Sequence, residues 1–89
     1  MPRIVVVHDV GDVDTWLNHK AERADAIGNM GAKNVVDHVA QDGSKSVAIA
    51  ADADDVDAIL SATASPGPEL MDAMQRHGVI PPLKIFVEK

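Results

Sequence analysis

The feature that most constrains this chain lies at its centre, where Asp42-Gly43 separates two alternating segments, Lys33 to Ala40 and Ser44 to Ala51. Asp-Gly between alternating runs is a strong hairpin signal, so the middle of the chain is committed to two antiparallel strands. Each flank adds a helix and a further strand. Ile4 to Val10 reads IVVVHDV, a β-branched run. Its two faces are Ile4, Val6, His8, Val10 and Val5, Val7, Asp9, both largely apolar, as in a central strand covered on each side. Asp12 can cap a helix that follows. From Val13 to Met30 the positions Val13, Trp16, Leu17, Ala21, Ala24 and Ile27 recur at helical intervals, and Gly28 and Gly31 mark the end. Asp52 to Asp55 place acids at the positive end of a second helix carrying Val56, Ile59 and Leu60. Ser65-Pro66-Gly67-Pro68 interrupts that helix. It resumes from Glu69 to His77, with Leu70, Met71, Ala73 and Met74 inward and Gly78 as the stop. Pro81-Pro82 breaks the chain, and Leu83 to Val87 is the last strand. The order is βαββαβ, an α+β architecture over residues 1–89.

Right-handed crossovers put both helices on one face of the resulting sheet and leave the other bare. The hairpin register decides what that bare face carries. A two-residue loop pairs Gln41 with Ser44; a three-residue loop with Gly43 left-handed pairs Ala40 with Ser44, and this second form is preferred. It groups Val47, Ile49 and Val35 on one face and Val36, His38, Ser46, Ala48 and Ala50 on the other, and a one-residue slip would reverse them. On this register the bare face carries Ile4, Val6, Val10, Val36 and Phe86, a surface expected to be covered by a second copy in a homodimer. A chain of 89 residues without cysteine has few other means of enlarging its core.

Fourteen acidic residues against eight Lys and Arg give a net charge of −6. The scattered basic residues form no stripe for nucleic acid and no match to an anionic membrane. No apolar run reaches membrane-spanning length. A strand beginning by Ile4 leaves no room for a signal peptide, so a cytoplasmic location is expected.

Asp14-x-Trp16 at the head of the first helix, the Asp42-Gly43 hairpin, Met71-x-x-Met74 followed by Gly78-Val79, and the ending Pro81-Pro82-Leu83-Lys84-Ile85-Phe86 form a pattern across nearly the whole chain. In this the chain resembles the dimeric α/β-barrel group of ferredoxin-like folds. That group includes small antibiotic-biosynthesis-type monooxygenases, some polyketide cyclases and cyclase-like proteins of unassigned role. The resemblance implies a four-stranded antiparallel sheet with helices on one face and a sheet-to-sheet dimer. It also implies a small-molecule pocket between sheet and helices, lined by Trp16, Leu17, Met71, Met74 and Phe86. The catalytic aromatics of the better-known monooxygenases do not map onto this chain, and Trp16 lies in the first helix rather than the second helical region used by haem-degrading members. No cofactor is implied.

His8 and His38 are the candidate catalytic residues, expected near one another with small Ser46 and Ala48 leaving a hollow between; an imidazole there can act as acid or base near neutral pH. The alternative is a pair of half-buried histidines bonded to backbone or across the dimer. His19 and His77 read as surface helix residues. No two histidines stand at i,i+3 or i,i+4, so no metal site is indicated. Asp52 to Asp57 lacks the glycine and glutamate of a calcium loop. Three functions stay open: a cyclase-, isomerase- or oxygenase-like enzyme, a non-catalytic ligand-binding or regulatory module, and a tautomerase using Pro2 as an N-terminal base.

Overall fold

The computed structural model describes residues 2–89. The elements run β1 (Arg3–Val10), α1 (Val13–Asn18), α2 (Lys20–Asn29), β2 (Ala32–Val39), β3 (Ser46–Ala53), α3 (Val56–Ala64), α4 (Pro68–His77) and β4 (Val79–Val87). The strands form one four-stranded sheet in the order β2-β3-β1-β4, with every neighbouring pair antiparallel. This is the ferredoxin-like α+β arrangement expected of the element order. Among the described residues no helix is long and apolar enough to cross a membrane.

The first helical stretch is divided rather than continuous. His19 has φ −99° and ψ 20° and serves as both the end of α1 and the start of α2. The Trp16 carbonyl takes hydrogen bonds from the His19 N–H and from Arg23 Nη1. A side chain inserted into the helical ladder in this way is a common cause of a break. Asp12 caps α1 by accepting from the N–H groups of Asp14 and Thr15, and Asp55 caps α3 by accepting from Ala58. Gly78 ends α4 with φ +78°, a conformation that favours glycine.

The central hairpin keeps the expected division of faces but not the expected loop. Val39 pairs with Val47, and the Ala40 N–H reaches the Ser46 carbonyl. The pairing is therefore offset by two residues from an Ala40–Ser44 closure, and an even offset leaves each side chain on its face. The longer loop is stabilised by Asp42 Oδ1, which accepts from the Ser44 N–H, and by Gly43 at φ +79°. A bulge between Lys33 and Val36, with Asn34 at φ +56°, lets the far end of β2 follow β3.

The faces of β1 are the reverse of those expected. Ile4, Val6 and Val10 lie under the helices, and Val5 and Val7 lie on the open side. Val5 stands in a cross-strand row with Ala50, Val36 and Phe86; Val7 stands with Ala48, His38 and Lys84. An apolar strand on both faces carries no signal for its own orientation. Packing decides it: Ile4 joins Ala32, Ala51, Ala53 and Ile59 in one core cluster, while Val10 joins Trp16, Val47 and Ile49 in another. The small alanines of β2 and β3 need the larger side chains of β1 to fill the layer beneath the helices.

β4 starts earlier than expected and contains Pro81-Pro82. Val7 pairs with Lys84 but Asp9 pairs with Ile80, so Pro81, Pro82 and Leu83 together oppose His8. Prolines have no N–H to donate and are tolerated at a bulge of an edge strand. The bulge separates β4 from β1 beside His8.

Candidate functional site

Two adjacent spaces lie between the sheet and the helices, the inner one bordered by α2 as well as by α3 and α4. The outer one is an open apolar cleft of about 760 Å³, walled by α3 and α4 on one side and by Val79 to Ile85 of β4 on the other. The inner one, about 90 Å³, lies beneath the helices and is bordered by His8, Arg23 and His77 among apolar residues. Thr63, Met74, Val79 and Leu83 line both. The proline bulge of β4 thus forms one wall of the cleft at the point nearest His8.

His8 is buried and occupies the covered face. Its Nδ1 lies 3.0 Å from the Asp9 carbonyl oxygen. A carbonyl can only accept, so this contact places the proton of the neutral ring on Nδ1 and leaves Nε2 as the acceptor. Burial holds the imidazole below its ordinary value of 6.5, and the Arg23 guanidinium adds to this, while the contact with the Asp9 carbonyl and the Asp9 charge work against it. The result is a neutral base at the edge of an apolar cavity.

Arg23 is the most heavily used side chain nearby. Its Nε and Nη2 donate to the two carboxylate oxygens of Asp37 at 3.1 and 2.9 Å, its Nη1 donates to the Trp16 carbonyl at 2.9 Å, and its guanidinium carbon lies 3.8 Å from the centre of the Trp16 ring. The Arg23 and Asp37 side chains are both buried. Such a bidentate, stacked geometry suits arginine and not lysine. His8 meets the Trp16 ring edge-on at 6.1 Å between centroids.

At the far edge of the inner cavity, His77 at the end of α4 stacks on His19 at the start of α2, with ring centres 4.5 Å apart. Both approach Glu22 Oε2, His19 Nδ1 at 3.3 Å and His77 Nε2 at 3.6 Å. Arg76 bonds the other oxygen, Oε1, and holds the Glu22 carboxyl below its usual range.

The expected site residues are therefore scattered. His8 faces Val47 and His38 faces Ala48, consecutive residues of β3, so the two histidines lie on opposite sides of the sheet. His38 is on the open face, with its Nδ1 near the Val36 carbonyl. Met71 and Met74 line the outer cleft, and Met74 also the inner cavity. Trp16 is fully buried core beneath Arg23, Leu17 borders neither space, and Phe86 stands on the open face at 51% exposure. His77, read from sequence as a surface residue, is only 4% exposed because the end of α4 packs on the start of α2.

Arg23, Asp37 and Glu22 were absent from the sequence expectations. A signal for the first two exists. On the continuous helix that the sequence pattern suggests, Arg23 follows Trp16 by seven residues and would share its face, and Asp37, two residues from Val35, shares the face of Val35 on β2.

The fold class defined by this architecture is the ferredoxin-like one, and solved proteins share it. A protein of Deinococcus radiodurans assigned to the antibiotic biosynthesis monooxygenases superposes with a TM-score of 0.61 at 17% identity, over 100% of this chain and 91% of its own. A second antibiotic biosynthesis monooxygenase superposes with a TM-score of 0.66 at 10% identity, over 100% of this chain and 97% of its own. At these identities the likeness is one of fold. No protein-family model matches the sequence, and no curated protein matches it.

Proposed function

We propose that this protein binds a small, largely apolar molecule in the cleft between α3–α4 and β4 and removes a proton from it with His8. The observation that carries this reading is that the apolar cleft and the cavity bordered by His8 lie side by side, sharing Thr63, Met74, Val79 and Leu83 as lining. A neutral imidazole with a free Nε2 is suited to accept a proton from carbon or oxygen near pH 7. The carbanion so formed can close a ring, isomerise, or react with O₂, and the substrate decides which. The reaction is tested by deuterium exchange at the acidic carbon of a cyclic 1,3-diketone, followed by NMR. The wild type is expected to accelerate exchange and His8→Gln to lose the acceleration while keeping the fold.

A second reading is a non-catalytic binding module. It is favoured by one feature: the His8 ring is oriented by a backbone carbonyl and not by a carboxylate. Binding of an apolar dye in the cleft without any exchange would support it over the enzyme. The Pro2 base is disfavoured, because a lowered amine pKa needs burial or a nearby free cation. Pro2 is exposed, and the neighbouring Arg3 is paired with Asp52 at 3.5 Å.

The open face supports a homodimer. Val5, Val7, Val36, Ala48, Ala50 and Phe86 form its centre, with Val36 and Phe86 at 45% and 51% exposure. Polar groups flank that centre: Arg3, Asp52 and Asn34 at one end, Asp9 and Ser46 at the other. An apolar centre with a polar rim is the usual anatomy of a protein interface. Light scattering is expected to give a dimer for the wild type and a monomer for Val36→Glu combined with Phe86→Glu.

A further inference from the structure

We infer that His19, Glu22 and His77 form a binding site for a divalent transition cation of the zinc class, joining the start of α2 to the end of α4. One donor atom from each of the three residues lies within 4.8 Å of the other two, and His19 Nδ1 and His77 Nε2 both approach Glu22 Oε2. His77 Nε2 is buried without a hydrogen-bond partner among the described residues, although it points to within 3.6 Å of the Glu22 oxygen. That distance is too long for a hydrogen bond. It matches a coordination site instead. Donors bound at about 2.0–2.1 Å around a tetrahedral centre stand about 3.4 Å from one another. The two nitrogen–oxygen separations, 3.3 and 3.6 Å, bracket that spacing.

The chemistry of the donors selects the ion. Two imidazole nitrogens and one carboxylate oxygen suit zinc and its neighbours, whereas magnesium and calcium require oxygen ligands. Three protein ligands leave a fourth position for water or another ligand. Arg76 engages Glu22 Oε1 and so orients Oε2 toward the histidines, the kind of outer contact that tunes a metal ligand. The His19 ring stacks on His77 with centres 4.5 Å apart in this structure, and binding would require it to turn out of the stack so that both nitrogens address one ion; its side chain is 30% exposed.

The full chain would be titrated with Zn²⁺ in competition with a chromophoric chelator. One ion per chain is expected. His19→Ala and Glu22→Gln, both at partly exposed side chains, should each weaken binding by on the order of 10–100-fold, at least what outer contacts to a bound metal contribute. His38→Ala, on the opposite face, should bind as the wild type does. Because His77 is buried and its removal can unfold the chain, the two exposed-side variants carry the test, with far-UV circular dichroism to verify their fold. Co²⁺ in place of Zn²⁺ should give the intense visible bands of a low-coordinate site, and these should vanish in His19→Ala. Equal zinc affinity in the wild type, His19→Ala and Glu22→Gln, or a cobalt spectrum unchanged by His19→Ala, would overturn the assignment.

Discussion

In the first half of the chain, α2 is fastened to the sheet by the Arg23–Asp37 pair, with Trp16 buried beneath it. In the second half, α3 and α4 bury Ile59, Ala73 and His77 and stand away from β4 across an open cleft. The same βαβ pattern thus yields a half closed onto the sheet and a half with room beside it. The difference originates in particular residues. The first half has a long cationic side chain that spans helix and strand. The second has two prolines in its strand, where Pro81, Pro82 and Leu83 together oppose His8 and interrupt the pairing with β1. A ligand entering between the layers meets least resistance on the second side, and His8 lies where the two halves meet.

The largest effect that would break this contrast is at the ion pair. Asp37→Ala leaves the Arg23 charge buried and uncompensated, and a loss of about 3–5 kcal/mol in urea unfolding is expected. A loss under 1 kcal/mol would mean that the first half is not held as described. Ile59→Ala removes the main anchor of α3. The open cleft beside it allows neighbours to relax, so a loss near the low end of the usual range, about 2–3 kcal/mol, is expected in the same assay.

The next effect is in pH. The folded chain holds His8 below 6.5, so between that folded value and 6.5 the unfolded chain binds more protons. This contribution is fully present above pH 6.5 and is lost as the pH falls through the folded value. Chemical denaturation across this window should show a steeper decline for the wild type than for His8→Gln, and parallel declines would remove His8 from the account. The smallest effect is expected at the rim of the cleft, where Met71 is half exposed. Met71→Ser should change stability by no more than about 0.5 kcal/mol while weakening binding of an apolar dye.

Much of this contrast was legible in the sequence. The split of the second helix, the caps at Asp12 and Asp55, the left-handed Gly43 and Gly78, and the element order all follow from local chemistry. The facing of β1 did not, because Ile4 to Val7 is apolar on both sides and any register satisfies its pattern. The pairing of His8 with His38 failed with it. The Arg23–Asp37 pair and the meeting of His19 with His77 were hidden for a different reason. Polar residues in a helix pattern are read as solvent-facing, and only tertiary packing reveals that Arg23 and His77 turn inward.

The central claim, that ligand binding belongs to the loosely attached half, is tested most directly by amide hydrogen exchange with and without the apolar dye 8-anilinonaphthalene-1-sulfonate. The prediction is added protection in α3, α4 and β4 from Val79 to Ile85 that exceeds any in α2, which borders only the inner cavity. Protection confined to the open-face rows around Val36 and Phe86, or none in α3 and α4, would contradict it.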